Sequence, residues 1–224
     1  MKSLKTFTLA AILTISLAGL ANAESPATLT AIHGIPGLPQ PVDVYVDGSY
    51  LFSFDFDEDF GPVELPAGQY SVKINLGDVT VLGARVGLEE GGNYTLIAHL
   101  DEIGTPTVTP FENDISALRG SDARLTVRHT AQAPTVDVKL DTIASFIAST
   151  ASVTIPGLSN PNQIGQVEVT SGVYQASLLV GDTPVYSSTK LPLKGGVGYI
   201  VYAIGSYPDT FRLFVQTTEP AAIR

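Results

Sequence analysis

The sequence feature that most constrains the fold is a short segment that occurs twice. The segment "ATLTAIH" at residues 27–33 returns as "ARLTVRH" at 123–129, and three further matches follow in the same order. They are "VDVYVD" (42–47) with "VDVKLD" (136–141), "AGQYSVKINLGD" (67–78) with "SGVYQASLLVGD" (171–182), and "GGNYTLIA" (91–98) with "GGVGYIVYA" (195–203). Because the matches keep their order at offsets of 94 to 104 positions, they predict two tandem copies of one domain.

Each copy has the residue pattern of β-strands. In the first copy Tyr70, Val72, Ile74 and Leu76 alternate with polar residues, and the second copy keeps the same phase over 174–180. This alternation is typical of a strand with one buried face. Asp-Gly and Gly-Asp pairs between such runs favour tight hairpins, and about seven strands per copy are expected. The predicted fold class is therefore all-β, with two tandem immunoglobulin-like β-sandwich domains after a cleaved signal peptide.

The N-terminal 23 residues have the pattern of a secretory signal peptide. Lys2 and Lys5 precede a mostly apolar run, and Ala-Asn-Ala follows it directly before Glu24. A retained membrane anchor is the alternative, but the run is shorter than the roughly 20 residues of a spanning helix. We therefore expect cleavage after Ala23 and an extracytoplasmic location, which is periplasmic, at the cell surface or secreted.

The repeat and the signal peptide together predict the domain organisation. It consists of a signal peptide (1–23), a first sandwich (24–111), a linker with room for one helical turn (112–122), a second sandwich (123–218) and a C-terminal tail (219–224).

The charge of the chain disfavours two classes of partner. The formal net charge is −10, and removal of residues 1–23 leaves ten basic against 22 acidic residues, a charge of −12. Binding to nucleic acid requires a basic face, so this composition argues against nucleic acid and against anionic membrane surfaces. The chain has no cysteine, so both cores must be stable without disulfides. No segment after the signal peptide is long and apolar enough to be an integral membrane span.

Several of these segments resemble a known family. The first copy contains "IHGIPGLPQPVDVYVDG" (32–48) and "ELPAGQY" (64–70), and the second contains "RHTAQAPTVDVKLD" (128–141) without the final Gly. These motifs resemble the DUF4397 family of secreted bacterial domains, over almost all of 27–218. The resemblance implies an extracytoplasmic, immunoglobulin-like β domain. It implies no established biochemical activity and supplies no catalytic residues.

Two of the three histidines close the repeated strand. His33 and His129 share the phase of the apolar residues before them, so both side chains are predicted to point to the buried side. The structural hypothesis is that each imidazole binds the loop that follows it, helped by Asp43 and Asp137. The alternative is one metal ligand or acid–base group per domain, but no second ligand stands at metal-binding spacing.

The acidic segment "FDFDEDFG" (54–61) is the candidate for a bound ion. Asp55, Asp57 and Asp59 offer hard oxygen ligands of the kind that calcium prefers, and an extended backbone would place all three on one face of a strand. The alternative is an edge strand whose outward acids discourage aggregation. The second copy has "ASFIASTAS" in this region, so any calcium site belongs to the first copy alone.

The sequence contains no motif that indicates catalysis. A Gly-x-Ser-x-Gly elbow is absent, and a Ser-His-Asp group assembled in space is the remaining route to a hydrolase. A sugar-binding surface would depend on tyrosines, because the chain has no tryptophan. Tyr45, Tyr50, Tyr186 and Tyr207 are the candidates for exposed rings.

The sequence therefore predicts a secreted, non-catalytic binding or structural module of the cell envelope or extracellular space. Its expected partner is an envelope or extracellular protein or glycan, and no cofactor is expected other than calcium. The alternatives are a secreted hydrolase of polysaccharides or esters and a calcium-stabilised adhesion domain.

Overall fold

The computed structural model describes residues 25–39, 41–145, 152–188 and 190–221. The predicted signal peptide (1–23) lies outside these residues. Across them the chain forms β-strands and no helix. The strands are β1 (Ala27–His33), β2 (Val42–Val46), β3 (Ser49–Phe54), β4 (Asp59–Leu65), β5 (Gly68–Leu76), β6 (Val79–Leu88), β7 (Asn93–Leu100), β8 (Pro106–Glu112), β9 (Asp122–His129), β10 (Val136–Ser145), β11 (Ser152–Leu158), β12 (Gln163–Thr170), β13 (Gly172–Val180), β14 (Thr183–Ser187), β15 (Leu191–Leu193), β16 (Gly198–Ile204) and β17 (Arg212–Thr218).

The strands form two β-sandwiches with the same strand order. In the first, the sheet β4-β1-β7-β8 faces the sheet β3-β2-β5-β6. In the second, β12-β9-β16-β17 faces β11-β10-β13-β14, and β15 also pairs with β13. The repeated heptapeptides form β1 and β9, which occupy equivalent places: each runs parallel to one neighbour and antiparallel to the other. The predicted all-β sandwich fold is confirmed.

The two sandwiches pack back to back through the sheets that contain β1 and β9, which we call the inner sheets. Ile32, Ile97, Phe111, Ile200, Tyr202 and Ile204 form a third apolar cluster between them. Each inner sheet is therefore covered on both faces, by its own sandwich core and by the other sandwich. This explains why β16 is apolar in both phases of its alternation and why β7 is buried in both phases, as expected for strands that are covered on both faces.

Arg128 lies at the centre of this interface and is 1% exposed. Its guanidinium donates to Asn113 Oδ1 (2.7 Å), Tyr202 OH (2.6 Å), Gln163 Oε1 (2.9 Å) and the Glu112 carbonyl (2.9 Å). It also lies 4.4 Å from the ring centroid of Phe111. These acceptors and the ring stabilise a charge that burial alone would make costly.

The connection between the sandwiches is held by the end of the chain. Residues 113–121 contain no helical turn, contrary to the sequence hypothesis. Leu118 N–H donates to the Ala221 carbonyl (2.9 Å), and Ala221 N–H donates to the Ile115 carbonyl (3.2 Å). Near the other terminus, Gly91 N–H donates to the Ser25 carbonyl (3.0 Å). Gly91 and Ile115 line one surface pocket, so both ends of the described chain lie at the same end of the molecule.

Candidate functional site

His33 and His129 hold the loops that follow the repeated strand. The Nδ1 atom of His33 accepts a hydrogen bond from Ile35 N–H (3.2 Å), and Nε2 of His129 donates to the Pro134 carbonyl (3.0 Å). Both side chains are 1% exposed. Burial lowers the pKa of His33 to about 4 and also lowers the pKa of His129, so both rings are neutral near pH 7. The structural interpretation of these two histidines is confirmed.

Asp43 and Asp137 do not contribute to those loops. Asp43 Oδ1 accepts from the Ser53 hydroxyl on the neighbouring strand, and Asp137 Oδ1 accepts from Gly157 N–H (2.8 Å). The prediction that they pin the loops after β1 and β9 is therefore wrong. Their side chains point out of the sandwich, where the adjacent strand is the nearest partner.

His99 was not singled out by its sequence context, yet it is fully buried between the sandwiches. Its Nδ1 donates to the Leu100 carbonyl (2.9 Å), and its Nε2 accepts from the Thr109 hydroxyl (2.8 Å). Burial lowers the pKa of this ring as well. The sequence carried no signal for this burial, because the phase of β7 that contains His99 also contains Asn93 and Thr95 and resembles a solvent-facing phase.

The acidic segment forms a turn between β3 and β4 instead of an extended strand. Asp57 has a φ of 69°, and its N–H donates to the His33 carbonyl (2.9 Å). Glu58 Oε2 accepts from Asp55 N–H (2.9 Å), while Asp57 Oδ2 lies 3.4 Å from Arg212 Nη1 of the second sandwich. The single extended strand on which Asp55, Asp57 and Asp59 would share one face is therefore not formed; Asp59 instead begins β4.

The turn separates the three predicted calcium ligands. Within the described ranges, no group of three or more His, Cys, Asp or Glu side chains is placed to hold a metal ion. Burial raises the pKa of Asp59, which indicates an environment that disfavours its charged form. The calcium site has no support from this geometry and stays a prediction.

The candidate tyrosines do not form a flat sugar-binding surface. The rings of Tyr45 and Tyr50 meet edge to face, with centroids 5.7 Å apart and planes at 74°. Tyr186 and Tyr207 instead line a cavity inside the second sandwich. Two of the four candidate tyrosines are therefore part of the cavity lining.

The cavity lies between the two sheets of the second sandwich and has a volume of about 220 Å³. Its lining is almost wholly apolar: Leu125, Val127, His129, Ala133, Pro134, Val136, Val138, Leu140, Leu158, Ala176, Leu178, Val180, Val185, Tyr186, Ser188, Leu191, Val201, Ala203, Tyr207, Phe211, Leu213 and Val215. None of these residues is Asp, Glu, Lys or Arg. The site can hold an apolar group but offers no pair of groups for acid–base chemistry.

The cavity opens along the edge strands β14 and β17. On this side the lining residues Val180 (40%), Tyr207 (41%) and Val215 (46%) are exposed. Phe211 approaches Tyr186 across the gap, with ring centroids 5.7 Å apart, and Tyr207 on its other side at 6.1 Å. We call these three aromatic residues and the two valines the mouth of the cavity.

Comparisons with known proteins give one family. The family described as "Domain of unknown function (DUF4397)" matches residues 27–139, which is half of the chain. No curated protein matches the sequence. A solved structure of a "putative cell adhesion protein" from Bacteroides ovatus matches 91% of this chain and 100% of its own, at 8% sequence identity and a TM-score of 0.32. The described residues contain no helix with the length and apolar character needed to cross a bilayer.

Proposed function

Since the chain belongs to the DUF4397 family, whose description assigns no function, we propose that it is an extracytoplasmic, non-catalytic module that binds an apolar partner. The observation that carries this proposal is the cavity in the second sandwich. Pockets for small molecules are concave and mostly apolar, with few polar groups, and this cavity has that character. Its apolar lining favours an apolar partner over the glycan that the sequence also allowed.

The hydrogen bonding of the buried histidines supports the proposal that the module is non-catalytic. His129 is the one titratable imidazole in the cavity lining, and its Nε2 is already bonded to Pro134. A hydrolase of esters or polysaccharides requires a nucleophile or water beside a base, with donors for the developing negative charge. The described lining residues offer no such arrangement, and this supports binding over hydrolysis.

The N-terminal residues support the extracytoplasmic location. Residues 1–23 have the charge pattern and the small-residue ending of a signal peptide. The lack of cysteine is compatible with an oxidising compartment, because both cores are stable through apolar packing alone.

The proposal is tested by expressing the full chain in a bacterium and measuring the intact mass of the protein in each cell fraction. The expected result is a chain that begins at Glu24 outside the cytoplasm and releases no product from ester or polysaccharide substrates. A matched control carries Lys2→Glu and Lys5→Glu, which removes the positive start of the signal peptide and is expected to retain the chain in the cytoplasm. Retention of the unchanged chain, or turnover that His129→Phe abolishes, would overturn the proposal.

A further inference from the structure

We propose that the cavity of the second sandwich binds one linear aliphatic chain, such as the acyl chain of a fatty acid or a lipid. The chain lies lengthwise between the two sheets, and its polar head remains in water at the mouth. This inference rests on the proposed function and names the class of ligand.

The chemistry of the lining selects an uncharged, apolar group. Most side chains around the cavity are aliphatic, and none of the described lining residues carries a full charge near pH 7. A charge buried there would lose its hydration without gaining an ionic partner, which is costly. An aliphatic group gains roughly 25 cal/mol for each Å² of apolar surface that it buries.

The shape of the cavity limits the thickness of the ligand, and an aliphatic chain is thin enough to fit. Three successive inward-facing residues of the same strand line it on each of β9 (Leu125, Val127, His129), β10 (Val136, Val138, Leu140) and β13 (Ala176, Leu178, Val180). With a rise of about 3.3 Å per residue, such a stretch extends about 13 Å along the strand. Packed sheets are only about 10 Å apart, including the side chains between them. The free space is therefore thinner between the sheets than it is long along the strands.

The volume selects a single chain over a fused-ring molecule. At about 220 Å³ the cavity exceeds the roughly 150 Å³ of an engineered apolar cavity that holds benzene. It is smaller than the roughly 300 Å³ at which pockets for drug-sized ligands begin. One aliphatic chain fits between these limits, whereas a sterol or a second chain does not.

The mouth explains how such a ligand enters. Val180 and Val215 are inward-facing residues of their strands, yet they are 40% and 46% exposed. Their exposure leaves apolar surface at the mouth that a ligand can cover. An aliphatic chain that enters between β14 and β17 would cover both valines, and the rings of Tyr186 and Phe211 would flank it.

The test uses the mature protein and a fluorescent fatty acid as the probe. Octanoate, laurate and palmitate then compete with the probe, and a neutral phosphatidylcholine vesicle provides a second source of acyl chains. The expected result is saturable binding of one probe per protein, with an optimum at an intermediate chain length set by the length of the cavity. Transfer of labelled phospholipid from the vesicle would assign the ligand to a lipid, and binding of free fatty acid alone would assign it to the free acid.

The cavity-filling variant is Leu158→Phe/Ala176→Val. The first sandwich has these larger side chains at the equivalent positions, as Phe54 and Val72. We expect at least about tenfold weaker probe binding, because the added atoms occupy the volume of the ligand. The matched control Val79→Phe adds an aromatic ring at a residue of the first sandwich that is 64% exposed, and it should leave probe binding unchanged.

A second variant keeps the test decisive if the filled protein does not fold. Val180→Thr/Val215→Thr conserves the shape of the mouth and places two hydroxyl groups there, and weaker binding is expected. Absence of probe binding to the folded wild-type protein, or equal binding by the filled variant, would overturn the inference. The proposed function would then still be judged separately by export and by the lack of turnover.

Discussion

The two sandwiches share one strand order but are filled differently. In the first, Phe52 stacks on Phe60 with ring centroids 3.7 Å apart and meets Phe54 edge to face. The strand pairing shows which residues are equivalent. Where the first sandwich has Phe52 and Phe54, the second has Ile155 and Leu158. Smaller side chains on the same frame leave a space in the core of the second sandwich.

The loops after β1 and β9 enlarge this difference. Ile35 is buried in the first core and Leu38 packs against it, whereas the corresponding loop of the second sandwich supplies Ala131 and Ala133. One sheet edge differs as well. The first sandwich has the single strand β6 there, and the second has the two shorter strands β14 and β15. One strand order therefore has a filled core in the first sandwich and a cavity in the second.

The largest expected effect on stability concerns the interface, where the two repeated strands differ. Arg128 and Ile32 occupy equivalent positions, but only Arg128 binds polar groups of both sandwiches. Arg128→Ala leaves several buried acceptors without a donor, and we expect a loss of about 4 kcal/mol in the free energy of unfolding. Urea denaturation measures it. Arg212→Ala, whose side chain is 56% exposed, is the control and should cost below about 1 kcal/mol. Similar losses for both variants would contradict this role of Arg128.

The second prediction concerns pH. The unfolded chain takes up a proton on His33 near pH 6.5, whereas the pKa of the folded His33 is about 4. Between these values the unfolded state binds more protons, so stability falls as the pH is lowered, by about 1.4 kcal/mol per pH unit for such a group. Burial lowers the pKa of His129 in the same direction.

Urea denaturation between pH 7 and pH 4 measures this slope. His33→Asn keeps a hydrogen-bond acceptor and His129→Gln keeps a donor, and neither amide titrates. Each variant should therefore flatten the dependence on pH. An unchanged slope in both variants would show that other groups cause the acid sensitivity.

The third prediction exchanges the filling residues between the sandwiches. Phe54→Leu opens the filled core, and we expect a loss of about 1.5 kcal/mol. Leu158→Phe places a larger side chain where space exists, and we expect a gain of about 1 kcal/mol. Thermal unfolding shows whether each variant is less or more stable than the wild-type protein. A loss from Leu158→Phe as large as that from Phe54→Leu would mean that the second core is as tightly packed as the first.

The smallest expected effect is that of calcium on the first sandwich. An ion at a concentration equal to its Kd would stabilise the folded chain by about 0.4 kcal/mol. Melting curves with calcium and with a chelator measure this shift, and the variant Asp55→Asn/Asp57→Asn/Asp59→Asn should lose it. No shift at millimolar calcium, or an equal shift in the variant, removes the hypothesis.

The sequence was sufficient for the sandwich fold and for the role of His33, because strand alternation and repeated segments report directly on buried faces. It did not reveal the back-to-back packing, since Arg124 and Arg128 alternate with apolar residues as solvent-facing residues of an ordinary strand do. The turn in the acidic segment could not be predicted, because the positive φ of Asp57 leaves no mark in an alternating pattern. The open core was visible in principle, as the smaller residues at 155 and 158, but only once the pairing of strands was known.

The position of Ser25 and Ala221 at one end of the molecule has a consequence for orientation. A tether through Ser25 or Ala221 would leave from that end. The loop that carries Tyr207 follows β16 and lies at the opposite end. If the protein is tethered through either terminus, the tip with this loop therefore projects away from the support, where an incoming molecule would meet it first.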